Sequence, residues 1–237
     1  MLIQAATVVL GPVLFAQARR LRATALELPE AAGPRRGREG AGVDALRLLV
    51  VGDSSAAGVG AQTQDEALAC PLARLTAAGL GRAVQWQLIA RSGVTSAQAL
   101  ELLRESPPEP ADLAVVMLGV NDVTHRVPLQ RALRHRGELA RWLQDRIGVR
   151  HVMFCALPPM QFFPALPQPL AWYAGRHVAR VNREQALWAK AQNGVTHATM
   201  DGVMEFGAFA EDGFHPGPRL YGAIARRLAE HVIALDA

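Results

Sequence analysis

The chain has 237 residues, half of them apolar, which is enough to bury the core of one large α/β domain with a short extension. Its net charge of +4 is concentrated at the start: residues 1–40 hold six arginines against three glutamates, leaving +1 for the rest. Of the 25 basic residues only Lys190 is a lysine, and no basic patch is interleaved with aromatics, so nucleic acid is not an expected partner.

Residues Leu2 to Ala18 carry no charge, and Arg19, Arg20 and Arg22 follow at once. A secretory signal places its positive charges before the apolar run, so this order speaks against one. The stretch reaches only the lower limit of a membrane span, and Gln4, Gly11, Pro12 and Gln17 weaken it further. Two readings stay open: a helix lying on the inner face of the membrane, with the rest of the chain in the cytoplasm, or a helix packed on the domain itself. Ala31 to Gly42, rich in Gly, Pro and Arg, reads as a linker. The chain is therefore expected to divide into an N-terminal segment, 1–42, and one domain, 43–237.

Within that domain, strand-like apolar runs recur at Leu46–Val51, Val84–Ala90, Leu113–Leu118, His151–Cys155 and Val195–Met200. Helix-period segments lie between and after them, at Glu66–Gly79, Ser96–Glu105, Leu129–Ile147, Leu170–Gln192 and Arg219–Leu235, each long enough for a right-handed crossover. Thr95 or Ser96 supplies an N-cap for the second helix, and Pro218 stands at the first turn of the last. Near-continuous apolar strands such as Ala114-Val115-Val116-Met117-Leu118 belong to a parallel sheet covered on both faces. The pattern predicts a three-layer α/β fold, a doubly wound five-stranded parallel sheet of the flavodoxin-like kind. Ligands of such sheets bind beyond the carboxyl ends of the strands.

Four short motifs sit at those positions or in the loop before the last helix: Gly52-Asp53-Ser54, Arg91-Ser92-Gly93, Gly119-Val120-Asn121-Asp122 and Asp212-Gly213-Phe214-His215. Acyl-ester hydrolysis needs a nucleophile, oxyanion donors and an oriented general base, and these residue types supply them. Each motif alone is weak, since Gly-Asp-Ser also caps turns and Asp-x-x-His also occurs in surface turns. Asp53 reads as a brace of the nucleophile loop and Asp122 as a helix or loop cap. Gly58-Val59-Gly60 lacks the third glycine of a dinucleotide fingerprint, since Thr63 stands in its place, and no P-loop follows.

Order and spacing together resemble the SGNH or GDSL hydrolase family, over roughly residues 46–236, with Gly52-Asp53-Ser54-Ser55 where the family usually reads Gly-Asp-Ser-Leu. The resemblance implies that Ser54 is the nucleophile, that His215 is the general base oriented by Asp212, and that the oxyanion hole comprises the N–H groups of Ser54 and Gly93 with the Asn121 amide. It implies no cofactor. The absence of Asp-x-His and Asn-His-Asp patterns argues against a metal-dependent phosphoesterase, and Cys70 and Cys155, which lack ligand spacing, read as buried free thiols of a reducing compartment.

Between the fourth strand and the long fourth helix, Leu157 to Leu170 combines five prolines with Phe162 and Phe163. This stiff apolar loop is expected either to wall an acyl pocket through Phe162, Phe163 and Leu166 or simply to pack over the sheet edge. The expected activity is that of a serine esterase of broad acyl specificity, which cleaves small-molecule carboxylic esters through an acyl-enzyme. A lysophospholipase or thioesterase acting on longer chains, and a non-catalytic binding domain of the same fold, are the alternatives.

Overall fold

The computed structural model describes residues 2–204 and 208–236. A helix, α1 (Leu2–Thr24), is followed by an extended stretch and a short strand, β1 (Arg36–Glu39). The domain then runs β2 (Ala45–Gly52), α2 (Ser54–Ala57), α3 (Ala69–Leu80), β3 (Ala83–Ala90), α4 (Ser96–Glu105) and β4 (Leu113–Met117). It continues through α5 (Val120–Thr124), α6 (Leu129–Trp142), β5 (His151–Cys155), α7 (Leu170–Lys190), β6 (Val195–Ala198) and α8 (Pro218–Asp236).

The strands form one sheet in the order β1-β3-β2-β4-β5-β6. The pairs among β2 to β6 are parallel, in the doubly wound order expected, while β1 runs antiparallel to β3. Among the described residues the sheet thus has six strands rather than five, and the sixth comes from the stretch expected as a linker. Arg36-Gly37-Arg38-Glu39 contains no apolar residue to reveal a strand. It pairs because the outer edge of β3 offers unpaired N–H and C=O groups, and its charged side chains suit an exposed edge.

Period-two alternation divides β2 between the two faces. Leu46, Leu48 and Val50 pack with α3 and α8, while Leu49 and Val51 pack with α4 and α6. Residues Leu48 to Val51 are wholly buried, worth roughly 1.5–3 kcal/mol for each side chain. This burial anchors β2 at the centre of the sheet. Because β3 leaves β2 on one side and β4 on the other, the crevice at their carboxyl ends is the switch point of the sheet, where a ligand can enter between diverging loops.

The later half of α1 rests on the domain rather than standing free. Leu14 is buried. Gln17 donates to the Gln168 carbonyl (2.8 Å) and accepts from the Leu170 N–H (3.2 Å), and Arg22 donates to the Thr124 carbonyl (2.6 Å). Among the described residues no helix is long and apolar enough to cross a membrane.

Candidate active site

Ser54 is the first residue of α2, a single helical turn directly after β2. Asp53 caps that turn by accepting the Ser55 N–H at 3.1 Å. Gly52 is required by the close approach of the next strand: a Cβ there would lie 2.5 Å from both the Ala56 Cβ and the Met117 carbonyl oxygen. The strand end therefore turns sharply and leaves the Ser54 hydroxyl at the edge of the sheet.

His215 reaches it from the opposite end of the chain. Its Nε2 lies 2.9 Å from the Ser54 Oγ, and its Nδ1 lies 2.5 Å from the Asp212 Oδ2. The other Asp212 oxygen accepts the N–H groups of Phe214 (2.9 Å) and His215 (3.0 Å), so the carboxylate and ring are held in one closed turn. Burial alone would raise the Asp212 carboxyl, but the hydrogen bonds from the His215 ring and these two N–H groups outweigh it and hold it below the usual carboxylate range. The two ends are also tied from below. Tyr221 of α8 donates to the Val59 carbonyl at 2.7 Å, and a Cβ on Gly60 would strike the Pro216 carbonyl, so the loop after Ser54 packs directly under the one that carries His215.

Gly93 follows β3 at φ +79°, a backbone that L side chains rarely adopt. Asn121 lies in the first turn of α5, and its amide donates to the Asp53 Oδ2 (3.2 Å) and the Val94 carbonyl (3.1 Å). Asn121, Gly93, Ser54 and His215 all line one cavity of about 500 Å³. Burial, reinforced by the nearby charge of Asp122, pushes the Asp53 carboxyl up to about 7, against the hydrogen bonds from Ser55 and Asn121.

Beneath Asn121 lies a polar network that motif reading missed. Asp122 accepts the Ser96 N–H (3.0 Å) and hydroxyl (2.5 Å) at the start of α4 and pairs with Arg136 at 3.2 Å. Arg136 of α6 is wholly buried and also donates to the Ser96 hydroxyl and to Gln185 of α7. Asp122 thus takes up the first N–H of α4, a helix distant in sequence whose own N-cap is Thr95, rather than capping its own turn, and its arginine partner lies in a helix with no distinguishing motif. Only an arginine on the inward stripe of an otherwise amphipathic helix (Ala132, Leu133, Arg136, Leu139, Ala140) hints at it.

The cavity is largely apolar. Phe163 lines it from the proline-rich loop, Met200 and Val203 from the stretch after β6, and Phe214 from beside His215. Of the three pocket residues expected in that loop, only Phe163 is placed there. Phe162 points outward and is 45% exposed, while Leu166 is buried against Leu157, Met160 and the α7 side chains Ala171 and Val178. The cause is the short 3₁₀ turn Met160–Phe162, which directs Met160 and the following Phe163 inward and Phe162 to solvent. A further side of the cavity comes from Ala25, Leu26, Glu27 and Leu28, in the stretch between α1 and β1.

The fold and this constellation define a class: a doubly wound α/β domain that assembles a serine, a histidine and an aspartate at the switch point of its sheet. Residues 50–223 match the model of the GDSL-like lipase/acylhydrolase family, and the chain belongs to that family. The GDSL-like esterase Rv1075c of Mycobacterium tuberculosis is 30% identical over 190 residues, 76% of this chain and 59% of the relative, so the chain spans about three fifths of that protein's length. Among solved structures, the lipase Lip_vut3 from a goat rumen metagenome matches with a TM-score of 0.63 at 18% identity, over 78% of this chain and 96% of that one. Est24, a carbohydrate acetylesterase from Sinorhizobium meliloti, matches with a TM-score of 0.60 at 19% identity, over 80% and 99% of the two chains. At these identities the two structures establish the fold alone.

Proposed function

We propose that the protein hydrolyses carboxylic esters through an acyl-enzyme on Ser54. The observation that carries this reading is the continuous chain Ser54 Oγ, His215 Nε2 and Nδ1, Asp212 Oδ2, with separations of 2.9 and 2.5 Å. His215 takes the hydroxyl proton as Ser54 attacks the ester carbonyl, and returns it to the departing alkoxide as the C–O bond breaks. Water, activated by the same imidazole, then releases the acid and restores the serine. Asp212 stays ionised throughout, because its hydrogen bonds favour the carboxylate, and so keeps the second nitrogen facing Ser54.

The N–H groups of Ser54 and Gly93 and the Asn121 amide are the donors for the tetrahedral oxyanion. Asn121 reaches it by giving up one of its two present acceptors, Asp53 or the Val94 carbonyl. The test is labelling by a fluorophosphonate with p-nitrophenyl acetate hydrolysis measured in parallel. Wild-type protein should be labelled at Ser54 and turn over, and folded Ser54→Ala should do neither. Undiminished turnover by the variant would remove the assignment.

A second reading, hydrolysis of lysophospholipids or thioesters with longer acyl chains, is favoured by one observation: the cavity beside Ser54 is lined mostly by apolar side chains and has the volume of a small-molecule site.

A further inference from the structure

The family match begins at residue 50, yet four residues that line the cavity, Ala25 to Leu28, lie well before it. This stretch has no regular secondary structure, but both of its ends are tied down. On the α1 side, Arg22 donates to the Thr124 carbonyl just beyond the Asn121 turn. On the other side the Glu30 carboxylate accepts the Ser92 N–H (2.7 Å) and hydroxyl (2.8 Å) and pairs with Arg35, which in turn donates to the Ala90 carbonyl. Ala31 and Ala32 then hydrogen-bond to the Ala57 and Gln62 carbonyls, and the buried amide of Gln64 donates to both Ala31 and Ala57. A segment that would otherwise be a free connection is held on the loop that carries Gly93 and on the loop that follows Ser54.

We infer that residues Ala25–Glu30 form a fixed wall of the acyl site, with Leu26 and Leu28 as its contact side chains, and that this wall selects esters of medium-length apolar acids over acetyl esters. The inference rests on the Ser54 reading above and goes beyond it in naming the part of the chain that chooses the substrate. Leu26 lines the cavity while remaining 51% exposed, so it lies at the rim, where an acetyl group held at Ser54 gains nothing from it. A longer chain covers Leu26 and Leu28 and removes their apolar surface, and its own, from water. A methylene enclosed in an apolar pocket discriminates by roughly 10–200-fold, and contacts at a half-open rim such as this one by less. The Glu30 latch is what makes the wall selective, because a wall free to swing away would not favour one chain length over another.

The experiment compares kcat/KM for p-nitrophenyl acetate, butyrate, octanoate and dodecanoate in the 237-residue chain, with fluorophosphonate labelling of Ser54 followed alongside. Wild type should prefer octanoate to acetate. In Leu26→Ala/Leu28→Ala the octanoate-to-acetate ratio should fall about tenfold, mainly through KM. Leu28→Trp, which narrows the cavity, should shift the optimum towards butyrate. Glu30→Gln keeps every apolar atom and should still lower the ratio by weakening the latch. A labelled enzyme that prefers acetate, or whose ratio none of the variants moves, overturns the wall. A protein that is neither labelled nor active on any ester overturns the Ser54 reading itself, so the two failures are distinguishable.

Discussion

A methyl group added at Gly119 should dismantle the support of the Asn121 loop from beneath. Gly119 sits at φ +130° and ψ −21°, a conformation for which a side chain costs on the order of 1–3 kcal/mol. The new Cβ would also overlap the Arg136 guanidinium and come within 2.9 Å of the Leu157 Cδ1. Arg136 has little room to retreat, being wholly buried and held by Asp122, Ser96 and Gln185. Displacing it would leave the buried Asp122 charge unpaired, and breaking such a pair costs roughly 3–5 kcal/mol. Together these terms come to roughly 4–8 kcal/mol, a large share of the 5–15 kcal/mol that typically separates a folded chain from its unfolded state. For a chain of this size each kcal/mol shifts Tm by about 2–4 °C, so Gly119→Ala should melt at least about 8 °C below wild type. The assay is thermal unfolding followed by circular dichroism, with kcat on a short ester measured well below the transition. A variant melting within about 2 °C of wild type with unchanged kcat would show that Arg136 does not brace this loop.

The proposed part of Asn121 is confined to the transition state, so Asn121→Ala should lower kcat by roughly 10²–10³ with KM nearly unchanged. An effect confined to KM would make it a ground-state contact instead. The buried Asp53 carboxyl, pushed from 3.8 up to about 7, adds a pH signature. A carboxyl whose folded pKa is raised contributes stability that is full below its unfolded value and is lost as pH rises through the folded one. Wild-type Tm should therefore fall relative to Asp53→Asn between about pH 4 and 7, the full gap corresponding to at most roughly 4 kcal/mol. Parallel profiles for the two proteins would show that Asp53 is ionised throughout.

Much of this molecule was legible in its order of residues. Apolar runs of strand length alternating with helix-period segments determine the parallel sheet, because each strand must bury both faces and each helix one stripe. The loops that carry Ser54, Gly93 and Asn121 could be placed as well, since loops at the carboxyl ends of such strands converge wherever the sheet's order reverses, whereas the Asp212-x-x-His215 pair is picked out by its motif and the family resemblance. What remained hidden depends on contacts between residues distant in sequence, which carry no local period. The strand Arg36–Glu39 exists only because β3 presents an open edge. Phe162 and Phe163 are adjacent and chemically identical, yet one faces solvent and the other the cavity, a choice made by the packing of a 3₁₀ turn. Arg136 looks like any helix arginine until the fold buries it beside Asp122. Ala25–Leu28 becomes part of the cavity only because Arg22 and Glu30 fasten its ends to the Asn121 and Gly93 loops. Patterning along the chain decided which elements form and where chemistry can sit, whereas close packing decided which side chains enclose the site, because a packed interior admits few arrangements and selects among them through contacts from every neighbouring element.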